Sequence, residues 1–257
     1  MAQLKFDEIH KLNETFFSEM NLRKEQILER IELADLLTDV FLYLFTYIEG
    51  QIAIGLYDPK ETKEIVSRRY KDSLEDYGIS LEKYPHVDEY VDRIADKLVD
   101  STKNIIGSQD KKDVKQLTLP TKNIGKSVKI VLDKDTTKST NKSENKSENK
   151  STDRSARQSK KSEETQDRAI DVAENESNTV FSIIEHDDAV RDGKTTKRWI
   201  TEQDEKVRHT HREVDFMEIP IDEPFTVGDS LLLFPRDDSL GANPRELIRC
   251  RCSLIYE

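Results

Sequence analysis

A four-residue repeat, Asn-Lys-Ser-Glu, running from Asn141 to Ser151, is the strongest constraint on how this chain can fold. It holds no apolar side chain, so no face of it can be buried in a core. Ordering such a segment costs about 1–2 kcal/mol per residue in backbone entropy, with no burial to offset it. The flanking residues share this character. From Asp110 to Glu164 there are 15 Lys/Arg and 9 Asp/Glu, net +6, which leaves 26 against 43, net −17, for the rest of the chain. Residues 108–165 therefore read as a disordered, protease-sensitive, basic linker, with Val128–Leu132 as one short candidate strand. A solvated tether is one reading of its charge. Weak, salt-sensitive contact with DNA or an acidic surface is the other.

The linker explains a composition unlike that of one large globular domain, with 35% apolar and 36% charged residues. The net charge of −11 argues against general nucleic-acid binding by the whole protein. No basic segment followed by an apolar core opens the sequence, so no signal peptide is expected. The longest apolar run, Val40 to Ile48, is too short to span a bilayer, and no membrane association is expected. Two cysteines in one C-x-C fit a reducing compartment better than a secreted disulfide scaffold.

Residues 1–107 read as helical. From Ile31 to Ile48 the apolar side chains become nearly continuous, as in a helix buried on several faces or one that also meets a partner. Gly50 is a plausible stop. A second helix covers about Lys60 to Asp76 after Asp58-Pro59, with Tyr77-Gly78 as its end. A third covers about His86 to Thr102, with Val87, Tyr90, Val91, Ile94, Ala95 and Leu98 on one face.

Residues 166–257 read as a small α+β domain, which makes the whole chain α+β. A helix from Arg168 to Glu185 buries Ile170, Ala173, Ser177, Val180, Phe181 and Ile184. Lys197–Thr201 is a candidate strand. A turn at Asp204 leads into either a short helix or an extended loop to Asp215. Ser230–Phe234 and Leu247–Tyr256 are further candidate strands, the last carrying the Cys-x-Cys.

Both cysteines and the only tryptophan lie in this domain, as do the candidate chemical groups. If residues 204–215 are helical, Asp204, Arg208, His211 and Asp215 share one stripe. That stripe is either a polar network locking the domain or, less simply, a hydrolytic centre using His211 with Asp204 and Asp215. His209 and His211 with Cys250 and Cys252 offer imidazole and thiolate, the ligands zinc prefers. On a strand, Ile248, Cys250, Cys252, Leu254 and Tyr256 would share one apolar face, so the cysteines also read as small core residues. A redox role is a third reading. A direct Cys250–Cys252 disulfide is disfavoured by strain. The chain has no G-x-x-x-x-G-K, H-E-x-x-H or G-x-S-x-G pattern, which argues against the common enzyme classes those mark.

Taken together, these residues resemble the Mu F-like minor head proteins, the phage head morphogenesis family. The resemblance rests on Trp199, Asp204, Val207-Arg208-His209-Thr210-His211, Asp215, Ile221-Asp222-Glu223-Pro224-Phe225, Phe234-Pro235 and Cys250-Arg251-Cys252. Ala173-Glu174-Asn175-Glu176 upstream also fits, and the likeness covers about Arg168 to Glu257. The chain departs at Phe216, where the family carries glycine after the acid, and His209 has no counterpart in the pattern. The resemblance implies a non-enzymatic virion or procapsid component of a tailed phage or prophage, made in the host cytoplasm. It would be placed inside the head near the portal, with the portal protein and capsid or scaffold proteins as partners. Its role would lie in head assembly and in DNA packaging or ejection. Residues 1–107 would then be the portal- or capsid-docking region. The structural motif would be Trp199, Asp204, Arg208, His211, Asp215, Phe225, Cys250 and Cys252, with His211, Cys250 and Cys252 as ligands if a structural zinc is held.

Overall fold

A computed structural model describes residues 6–108 and 148–257. The helices α1 (Phe6–Ser18), α2 (Lys24–Ala53), α3 (Pro59–Tyr77) and α4 (Pro85–Ser108) precede the undescribed stretch. After it come α5 (Glu148–Arg191), β1 (Thr196–Ile200), α6 (His209–Arg212), β2 (Glu218–Pro220), β3 (Phe225–Val227), β4 (Ser230–Leu232), α7 (Pro244–Leu247) and β5 (Ser253–Tyr256). The architecture is α+β: long helices with a small sheet region at the C-terminal end.

The helix limits follow from local chemistry. Asp58 caps α3 by accepting from the Glu61 backbone N–H, and Pro59 fills the first position, where an N–H would have no partner. Gly78 ends it at φ 105, a conformation that costs a side chain dearly. α2 runs past Gly50 to Ala53, so Gly50 does not stop it. Its i−4 carbonyl ladder holds through that glycine, and Gly55, at φ 73, marks the reversal instead.

α2 is buried on several faces, as its unbroken apolar pattern requires. Leu33, Leu37, Phe41, Leu44, Phe45 and Ile48 lie in one core with Val66 and Tyr70 of α3 and with Val87, Tyr90 and Val91 of α4. Ala169, Ala173, Val180 and Phe181 of α5 complete it, joined by Phe234 from beyond β4. The core thus crosses the boundary drawn at 166. The helices before the linker and the helix after it bury one another.

Of the residues expected to form the linker, 109–147 lie outside the described ones, and with them Val128–Leu132 and most of the Asn-Lys-Ser-Glu repeat. Residues 148–165 are helical, as the first part of α5. The first buried side chain described on α5 is nevertheless Gln166. Packing begins where the apolar periodicity begins, although the helix itself starts earlier.

The sheet has the order β2-β1-β5, all antiparallel, and β3-β4 is a separate hairpin. Trp199 pairs with Leu254, and Lys197 with Ile219 on one side and Tyr256 on the other. Three elements differ from their expected extent. The strand expected over 247–256 is only Ser253–Tyr256, because Asn243 caps a turn of helix at Pro244–Leu247 and Arg249 takes φ 53. Asn-Pro here starts a helix instead of marking a bare turn. The strand at 230 ends at Leu232, and the helix considered over 204–215 is four residues long.

Candidate metal centre

His211 sits on α6 with its side chain 1% exposed, and Cys250 and Cys252 are 2% and 3% exposed. Its Nδ1 lies 3.4 Å from the Cys252 Sγ and 3.5 Å from the Cys250 Sγ. These three ligand atoms all lie within 4.8 Å of one another, and no other such group occurs among the described residues. The other ring nitrogen, Nε2, lies 3.1 Å from Glu246 Oε2, which also accepts from Thr210 Oγ1 at 2.8 Å. Trp199, Phe225, Val214, Val227, Leu232 and Leu247 wall the group. The Trp199 ring stands edge-on to His211 at 5.7 Å and to Phe225 at 5.1 Å.

The backbone holding the cysteines is fixed from α5 and from Arg236. The Asn178 amide donates to the Cys250 carbonyl at 3.3 Å. Arg236 Nη1 donates to the carbonyls of Cys250 and Cys252 at 2.8 and 2.9 Å. Its Nη2 donates to Ser182 Oγ. Arg236 is 3% exposed, and among the described residues no carboxylate forms an ion pair with it. A guanidinium buried in this way needs compensating charge nearby. Negative charge on the cysteine pair and on Glu185 acts in that direction. A hydrogen bond from the Cys252 thiol, reinforced by His211 and Arg236, holds Cys250 well below the usual thiol range against the opposing effect of burial. The same hydrogen bond, together with burial, pushes Cys252 up. Burial alone would lower His211, but its hydrogen bond to Cys250 and the charge there raise it on balance. The three side chains are thus tied to one another by hydrogen bonds, with negative charge favoured on Cys250 over Cys252.

This donor set fits a zinc ion. With Zn–S about 2.3 Å and Zn–N about 2.05 Å, a tetrahedral site has an N···S edge of about 3.6 Å. The observed 3.4 and 3.5 Å are within about 0.2 Å of that. A carboxylate on the far nitrogen of a ligating histidine is the usual second partner, fixing tautomer and ring orientation. Glu246 is placed to do so.

The other residues expected at the site divide into two groups. Trp199 and Phe225 pack around the cysteines, as their size suggested. The polar stripe is not assembled. Asp204 pairs with Arg251 at 2.7 and 2.8 Å and accepts from the backbone N–H of Lys206 and Val207. The bond from Arg251 holds its carboxyl below the usual range. Arg208 donates to the Ile248 carbonyl. Asp215 accepts from the Thr201 N–H at 2.8 Å. Each acid is occupied in tying loops together, and neither hydrogen-bonds to His211. His209 is 83% exposed and faces Glu213, so the H-x-H does not act as a unit. Phe216 has φ 59, in the left-handed region where glycine is favoured.

Glu246, Arg236 and Asn178 carry no signal in the sequence that places them at this site. Asn243-Pro244 followed by Glu246 is a legible helix start, but nothing local says that this acid meets His211.

Comparison of the chain with models of known protein families, with curated proteins and with solved structures finds no match. Among the described residues no helix is long and apolar enough to cross a membrane.

Proposed function

We propose that the chain is a minor head protein of a tailed phage or prophage, non-enzymatic, acting in head morphogenesis near the portal and in DNA packaging or ejection. The observation that supports this is the convergence of the resembling residues. Trp199, His211, Phe225, Cys250 and Cys252 are scattered over more than fifty positions and meet in one buried cluster. Asp204, Arg208 and Asp215 fasten the loops around it. Residues that resemble a family's because they build its fold would be expected to converge in this way. The proposal includes a structural zinc held by His211, Cys250 and Cys252, with Glu246 orienting the imidazole. The helical region before residue 108 is the surface offered to the portal or to capsid and scaffold proteins.

The test is genetic and compositional. Heads purified from an induced prophage carrying this gene should contain the chain, by mass spectrometry, in few copies relative to the major capsid protein. Deleting the gene should leave empty or unstable heads by electron microscopy, restored by a copy in trans. A chain absent from purified heads, together with an unchanged phage titre in the deletion, overturns the proposal.

A further inference from the structure

The zinc proposed above has three ligands from this chain, and zinc that is buried for structural purposes takes four. Both cysteines and all five histidines lie among the described residues. His10 pairs with Asp35 and His86 with Asp187, each outside this cluster. His186 packs between Phe234 and Tyr256. His209 is turned to solvent. No further thiolate or imidazole is left to complete the site. Glu246, the carboxylate hydrogen-bonded to His211, is engaged at Nε2, on the opposite side of the ring from the sulfurs.

A second observation marks the neighbouring space. The Trp199 indole nitrogen is fully buried with no oxygen or nitrogen acceptor, and its N–H acts only on the Cys252 sulfur. A cysteine sulfur is a weak acceptor, so this buried donor is under-satisfied. It stands against the one cluster of candidate metal ligands among the described residues, where a metal would bring a new acceptor.

We infer that the centre keeps one exchangeable coordination position beside Trp199, filled by water or by a small anion that accepts from the indole N–H. The inference rests on the proposed zinc. The ligand must be small, because all three protein ligands are at most 3% exposed and apolar side chains wall the rest. Exchange is plain substitution: the anion brings its own electron pair, water leaves with its own, and no redox partner is needed.

The experiment uses the full chain with Co(II) in place of zinc, read by its visible d–d bands and sulfur-to-cobalt charge transfer, and titrated with azide. Azide should change the d–d bands saturably and leave the charge transfer in place. Trp199→Phe should bind azide about tenfold more weakly, the worth of one hydrogen bond to a charged group, with the charge transfer unchanged. Bound cobalt whose spectrum ignores azide overturns this inference and leaves the metal reading standing. Absence of sulfur-to-cobalt charge transfer overturns both. If Trp199→Phe does not fold, the azide titration of the unsubstituted chain still decides.

Discussion

Replacing Glu176 by Gln should remove a large pH-dependent term from the stability of the helical core. Glu176 lies on α5, 3% exposed, and accepts from Tyr90 Oη at 2.7 Å and Tyr70 Oη at 3.2 Å. Burial raises its carboxyl from the ordinary 4.5 to about 7, against the two hydroxyls, which lower it. The folded state therefore holds this proton more tightly than the unfolded chain. The stability linked to it is complete below pH 4.5 and is lost as pH rises to about 7. The displacement corresponds to ~3 kcal/mol, at 1.36 kcal/mol per pH unit. Gln presents an oxygen to both tyrosines, and the cost of its extra N–H groups is the same at every pH. The stability of Glu176→Gln minus that of the parent, from urea denaturation at a series of pH values, should then climb by ~3 kcal/mol between pH 4.5 and 8. Glu174, also raised to about 7 by burial, is present in both proteins and cancels. A difference that stays flat within about 1 kcal/mol would refute the burial argument for Glu176.

Other outcomes are expected from single changes. Cys250→Ala should cost about 1–2 kcal/mol in metal-free protein, as for a modest core truncation. In protein that elemental analysis shows to hold stoichiometric zinc it should cost far more, with unfolding on chelation; equal losses in both states would remove the structural metal. Phe216→Gly should be mildly stabilising, by roughly 0.5 kcal/mol. Relief of the left-handed conformation, about 1–2 kcal/mol, exceeds the added chain entropy of about 0.5–1 kcal/mol, and Phe216 is largely exposed. A lower Tm would contradict this. His186, which burial lowers from 6.5 to about 4, contributes stability that is present above pH 6.5 and lost as pH falls towards 4. His186→Phe should flatten that acid limb in thermal melts by ~1–2 kcal/mol after discounting for solvent; an unchanged acid limb would show that His186 is not its source.

The sequence by itself determined the helices and the site's apolar half. The spacing of Val87, Tyr90, Val91, Ala95 and Leu98 gives α4 its buried face, and Asp58-Pro59 and Gly78 bracket α3 to within a residue or two. The size of Trp199 and Phe225 and the burial tendency of cysteine were enough to place them together. These signals are legible because periodicity, capping and side-chain size act within a few residues.

Tertiary structure decided the rest. The charge-rich stretch up to 165 gave no sign that the helix it leads into shares a core with α2–α4, since that burial is defined only by surfaces from elsewhere in the chain. Asp204, Arg208, His211 and Asp215 look like one stripe, but an Asp204 side chain bonded to two backbone N–H groups bends the chain away from a helix, and each acid finds a different partner. The partners of His211 come from 35 to 41 residues further on. The pairing of Glu246 with its Nε2, and of the two sulfurs with its Nδ1, depends on where α7 and the turn at Arg249 set the backbone. Polar recognition needs direction as well as proximity, and direction over such separations is fixed only once the core has packed.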